Sequence, residues 1–211
     1  MNDGKKVKYS YESGEHLFFT SDTHFSHANI MKFCGRPFKN VGEMNNTIIK
    51  NWNDVVGPED TVFHLGDFAF GGFNVWEPIR EQLNGHIVLI LGNHDFKQNI
   101  QNKERLDKMF ELVTQQMYIE VEGQKVYLNH YPFLCYGGTY NKQKPTWQLF
   151  GHLHLKKGST GLDTSRVECC FPYQYDVGVD LNGFTPLSWK QVNEKILFQI
   201  EHNTNVAYWL K

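Results

Sequence analysis

Five short apolar runs in this chain each stop at a cluster of acidic, imidazole or amide side chains, and that recurrence constrains the fold more than any bulk property. The runs are His16–Thr20, Thr61–Leu65, His86–Leu91, Lys125–Asn129 and Trp147–Phe150, rich in Phe, Val, Ile, Leu and Tyr. Their length and composition read as strands. Between them lie helical patterns. In Glu43–Val56, the residues Met44, Ile48, Trp52, Val55 and Val56 recur at helical spacing. Asn74 is placed to cap a helix carrying Val75, Ile79 and Leu83, with Gly85 ending it. Leu106, Met109, Phe110 and Val113 share one face of a third helix, and Ser188 with Gln191 resembles a capping box ahead of Val192 and Ile196. Strands alternating with helices predict α/β architecture. Gln174–Phe184 reads as further strand and turn, and Ile196–Leu210 as a closing strand pair.

The polar clusters carry the chemistry. The first run is followed by Ser21-Asp22-Thr23-His24, the second leads into Gly66-Asp67, and the third into Gly92-Asn93-His94-Asp95. The fourth meets His130 and the fifth Gly151-His152-Leu153-His154. In open α/β sheets ligands collect at the carboxyl ends of strands, so these positions can converge. Asp22 and His24 are two apart, as are His152 and His154, and on extended backbone such pairs project to one side. Glycines 66, 92 and 151 allow tight turns where a larger side chain would crowd the site. Carboxylate, imidazole and amide oxygen together suit manganese, iron, zinc or nickel better than calcium. Taken singly, a D-x-H, a Gly-Asp or a lone histidine is an ordinary loop or core feature. The ordered set of five is not.

Composition narrows the class. With 211 residues, 40% of them hydrophobic and 15% aromatic, the chain is expected to form one ordered domain over 1–211. A net charge of −2 gives no overall positive field toward duplex nucleic acid or an anionic membrane. The polar N-terminus and the absence of a long apolar run predict no secretory signal and no membrane span. Cys34, Cys135, Cys169 and Cys170, without a C-x-x-C, fit reduced thiols in a cytoplasmic protein.

The five clusters, in their order, resemble the calcineurin-like metallophosphoesterases, whose pattern runs D-x-H, G-D, G-N-H-D/E, H, G-H-x-H. The resemblance spans about residues 16–187 and is nearest to small single-domain members from bacteria and their viruses, which carry segments like SDTHFSHANIMKFCGRPF and VFHLGDF. It implies two packed mixed β-sheets flanked by helices, with two divalent cations at one edge, manganese placed first. By motif, Asp22, His24, Asp67 and His154 would hold one metal, and Asp67 would bridge to a second completed by Asn93, His130 and His152. A hydroxide between the cations would attack a small phosphoester or nucleotide, with His94 protonating the leaving oxygen. Asp95 is expected to orient a neighbour or cap its loop. Arg36 and His27 are candidate substrate contacts, and Phe133, Tyr136 and Tyr140 could line a nucleotide pocket. His64 is expected to make a buried structural hydrogen bond. The competing readings are an inactive binding scaffold of the same fold, a DNA-end nuclease of the same superfamily, and a structural metal site. Intact ligand positions, limited length, and mixed O/N ligands weigh against each in turn.

Overall fold

A computed structural model describes residues 9–98, 102–158, 165 and 167–211. The reading of the N-terminus as polar and unfit for a signal falls partly on residues 1–8, outside the described residues. Among the described residues, no helix is long and apolar enough to cross a membrane.

The five predicted runs form strands. They are β2 (Leu17–Thr20), β3 (Thr61–His64), β4 (His86–Ile90), β7 (Gln124–Asn129) and β8 (Trp147–Phe150). β9 (Gln174–Asp176) falls within the expected strand-and-turn segment, and four strands not expected from the sequence complete the sheets: β1 (Tyr9–Tyr11), β5 (Leu112–Thr114), β6 (Gln116–Val121) and β10 (Leu187–Ser188). One sheet has the order β10-β2-β3-β4-β5, parallel except for β10 against β2. The other runs β1-β6-β7-β8-β9, with β6 and β7 antiparallel and the remaining pairs parallel. Both sheets are mixed, and helices flank them.

Alternation explains the layering. On β2, Leu17 and Phe19 face the second sheet, packing with Phe63, Leu65, Val88 and Ile90 against Ile119, Val126, Leu128 and Leu149. Phe18, Val62, Ile87 and Leu89 point the other way, into the helices. Those helices are α2 (Val41–Val55), which buries Met44, Ile48 and Trp52; α3 (Phe73–Arg80), which buries Trp76 and Ile79; and α5 (Lys103–Met109), which buries Leu106 and Met109. Two shorter helices complete the set: α1 (Ile30–Cys34) comes after the first polar cluster, and α4 (Asn93–Gln98) begins within the third.

Two expectations are corrected. The segment Ile196–Leu210 is not a strand pair. Helix α6 (Trp189–Glu201) runs through its start, as far as Glu201, and a 3-10 turn covers Val206–Leu210. The Ser188–Gln191 capping box starts α6 as expected, and Val192, Ile196 and Gln199 are buried along one helical face, a period no strand satisfies. Asn74 is not a cap either: α3 begins at Phe73, with Gly72 in the extended cap position.

The register places the chemistry. Thr20 pairs with His64 and His64 with Leu89, so three carboxyl ends of the first sheet finish level. In the second sheet Leu128 pairs with Leu149 and Phe150 with Asp176. An isolated bridge between Ser21 and Gly178 joins the sheets at that same edge.

Candidate metal centre

The loops at this edge are laced together by backbone. Asp22 N–H donates to Gly66 O at 2.9 Å, His24 N–H to Asp67 O at 3.0 Å, and Phe25 N–H to Phe68 O at 3.0 Å. Here the structure departs from the extended geometry expected of the D-x-H and H-x-H pairs. Asp22 (φ 57), His24 (φ 48), Asp67 (φ 57), His152 (φ 72) and His154 (φ 49) are all left-handed. For non-glycine residues that conformation is uncommon, costs roughly 1–3 kcal/mol where the setting is strained, and gathers at functional sites. Left-handed residues flanking Thr23 and Leu153 turn the chain sharply, bringing Asp22 and His24 to one ligand group while His154 stacks on His24 and His152 meets His130.

Two glycines let the loops close. A Cβ on Gly92 would lie 2.3 Å from Asp67 Oδ1, and one on Gly151 would lie 2.1 Å from Ser21 Oγ and 2.3 Å from Asp22 Oδ2. No side chain fits either place. Asp95 completes this frame as expected, accepting N–H bonds from Gly92 (2.8 Å), Asp67 (2.8 Å) and Phe68 (3.0 Å).

Seven predicted metal residues come together around this frame. Ligand atoms of Asp22, His24 and His154 lie within 4.8 Å of one another, as do those of Asp22, Asp67 and His130. His24 Nε2 is 3.2 Å from His154 Nε2 and 3.5 Å from Asp67 Oδ2. On the other side His130 Nε2 is 3.7 Å from Asp67 Oδ2 and 3.1 Å from Asn93 Oδ1. The His152 ring is 5.0 Å from that of His130. His94 sits at the rim with its ring 5.1 Å from His24, and its backbone N–H donates to Asp67 Oδ1 at 2.8 Å.

The electrostatics call for added positive charge. Asp22 is fully buried and its Oδ1 has no hydrogen-bond partner. Burial, reinforced by Asp22 and Asp95, raises the Asp67 carboxyl to about 7. Burial and Asp22 raise Asp176 to about 8, and its Oδ2 also lacks a hydrogen-bond partner. At His154 burial opposes the charged ring, but Asp22 and Asp180 outweigh it and raise the imidazole to about 11. Asp67 and Asp176, held this close and dry, retain protons unless a cation replaces them, whereas His154 and His130 hold the Asp22 carboxyl down against its burial. The donor set of carboxylate, imidazole and amide oxygen fits divalent metals.

Asp180 is the residue the sequence reading missed. Its Oδ2 accepts from His154 Nδ1 at 2.8 Å, and both its oxygens take Arg36. The signal was present in Asp176-Val177-Gly178-Val179-Asp180, a sixth strand end followed by acid. The expectation that Arg36 contacts substrate is corrected by the same bonds. All five of its N–H donors are committed, to Asp180 twice, the carbonyls of Asp22 and Thr23, and Met44 Sδ. His27 differs: it lies at the edge of the centre, stacked on Phe70 at 4.3 Å, with its ring 5.9 Å from His94. His64 makes the structural bond expected of it, with Nε2 2.9 Å from Thr23 Oγ1. Beyond His130, Phe133 lines a cavity, whereas Tyr136 is buried and Tyr140 lies exposed outside it.

Residues 16–166 match the model of the calcineurin-like phosphoesterase superfamily domain. The chain is 40% identical over 140 residues to an uncharacterized protein of Methanocaldococcus jannaschii, covering 65% of this chain and 69% of that one. It is 30% identical over 179 residues to the gene 66 protein of Mycobacterium phage D29, covering 78% and 87% respectively. A crystal structure of a protein of unknown function from Aquifex aeolicus superposes with a TM-score of 0.63 at 28% identity, over 84% of this chain and 97% of that one.

Proposed function

The chain belongs to the calcineurin-like phosphoesterase superfamily, and from that premise we propose that it hydrolyses small phosphoesters or nucleotides at a centre of two divalent cations. Membership supports metal-dependent phosphoester hydrolysis in general. The dinuclear arrangement rests on one observation above the others: Asp67 Oδ2 stands 3.5 Å from His24 Nε2 and 3.7 Å from His130 Nε2, between the two ligand groups.

Asp22, His24, Asp67 and His154 form the first set of ligands, and Asp67, Asn93, His130 and His152 the second. Two divalent cations held there would supply Lewis acidity toward the phosphate and make water ionisable near neutral pH. The remaining work falls to the protein's own groups. Asp95 and the glycines hold the loops in register, so the ligands are preorganised. His94 stands at the rim, beside rather than within the ligand sets. There it holds a proton for the departing oxygen, the work of a positioned general acid. His27, next to His94, is placed to meet the substrate.

The test uses metal-stripped protein with bis(p-nitrophenyl) phosphate and p-nitrophenyl phosphate, with and without Mn²⁺. Turnover that needs added metal is the expected result, and the preferred ester assigns diesterase or monoesterase. Failure to take up metal, together with no turnover of either ester, would return the chain to the scaffold reading.

A further inference from the structure

Beside the metal centre lies a cavity of about 380 Å³ that the proposed chemistry does not use. His152 forms part of its lining, and the Tyr131 ring stands 4.7 Å from His152 and 4.9 Å from His130. The cavity therefore opens directly onto the ligands. One wall is Tyr131, Phe133 and Leu134; the other is Leu153, Val167 and the adjacent Cys169 and Cys170. Among the described lining residues, no Lys, Arg, Asp or Glu is present.

Both walls are held from behind. Gln148 and Gln174, paired across β8 and β9, are buried polar side chains. Gln148 Nε2 donates to Tyr131 O at 2.9 Å, and its Oε1 accepts from Phe133 N–H at 3.1 Å. Gln174 Nε2 donates to Phe133 O at 2.9 Å. Opposite, Asn205 Nδ2 donates to Glu168 O at 3.0 Å and Cys170 O at 2.9 Å. Burying amides is costly unless their bonds are made, and here those bonds fix the loop that forms the wall. Leu134 in the lining is itself 71% exposed, an apolar side chain open to a ligand.

We propose that this cavity binds the organic group of the substrate, an uncharged flat ring such as a nucleobase. Nucleoside or aryl phosphoesters would then be preferred to sugar phosphates and polyphosphates. The volume sits near the lower end of small-molecule sites, about 300–1,000 Å³, which suits a ring and rules out a folded peptide. Aromatic and aliphatic walls favour a π-face, and the described lining residues offer no charged partner for a second phosphate. This inference rests on the phosphoester reading for the placement of the phosphate at the metals.

The test reads the cavity without turnover. Metal-free protein is alkylated with iodoacetamide, and modification is followed by peptide mass spectrometry. Cys169 and Cys135 are both exposed, and only Cys169 lines the cavity, so Cys135 is the internal control. Adenosine should slow alkylation of the Cys169-Cys170 peptide at least fivefold, ribose should not, and Leu134→Asp should abolish the protection. A phenol arm distinguishes the ring's source: protection by phenol alone assigns an aryl group, and protection by adenosine assigns a base. With Mn²⁺ restored, kcat/KM for the protected ring's phosphoester should exceed that for methyl phosphate at least tenfold. Protection without any turnover keeps the ring site and removes the hydrolase reading. Turnover that ignores the organic group, with no protection by either ring, overturns the ring site alone.

Discussion

Arg36 and Asp180 meet in a two-pronged ion pair, 2.9 Å on each prong, with side chains 0% and 3% exposed. The pair joins three parts of the centre. Arg36 also grips the carbonyls of Asp22 and Thr23, while Asp180 takes the Nδ1–H of His154. A carboxylate behind a ligating histidine fixes its tautomer and ring orientation, and losing it typically costs about 10–100-fold in metal affinity. Asp180→Asn should weaken Mn²⁺ binding by that order, measured by titration calorimetry.

Arg36→Lys should lower stability, because an ammonium cannot reproduce the planar fork and would leave buried acceptors unpaired. Because lysine keeps the charge, the loss should fall below the roughly 3–5 kcal/mol of removing one partner of a buried pair outright. Thermal melting checks this. If the variant melts like wild type and only KM rises, Arg36 contacts substrate after all.

His94→Ala should keep its metals and lose about 10²–10⁴ in turnover, the contribution of a positioned general acid. Asp67→Asn should lose metal and activity together, since the carboxylate stands between both ligand groups. Metal analysis of both purified proteins separates the roles, and equal metal loss in the two would remove the distinction.

Gly151→Ala should fold poorly or bind metal weakly. Its Cβ would come 2.3 Å from Asp22 Oδ2 and displace that carboxylate. Overpacking of this kind costs about 1–3 kcal/mol. A variant with wild-type melting temperature and full metal content would contradict the close approach.

His64 gives a pH signature. Burial lowers its imidazole to about 3, so the fold favours the neutral ring and the unfolded chain takes up protons first as pH falls. Its contribution is complete above about pH 6.5 and is lost progressively toward pH 3. The raised carboxyls of Asp67, Asp95 and Asp176 act with the opposite sign over the acid range. The comparison that isolates His64 is wild type against His64→Gln, metal-free, by denaturant unfolding between pH 4 and 7. The variant should lose less stability on acidification, and parallel curves would mean that the ring is not held neutral.

The central strands, the order of the five polar clusters and the seven residues that meet at the sheet edge are legible in the chain before it folds. Each of these is written locally, in apolar runs that stop at glycine, acid and histidine. Packing between distant segments sets the rest. The short strands β1, β5 and β10 are held by neighbours distant in the chain, and three or fewer residues carry no readable period. The left-handed turns at Asp22, His24, His152 and His154 come from loops laced to one another, which spacing alone reads as extended strand. Arg36 reads as a substrate contact in its local sequence, yet Asp180, 144 positions away, takes its charge. Which atoms a side chain reaches is set by packing between segments far apart in sequence, and that is where the role of a charged residue is fixed.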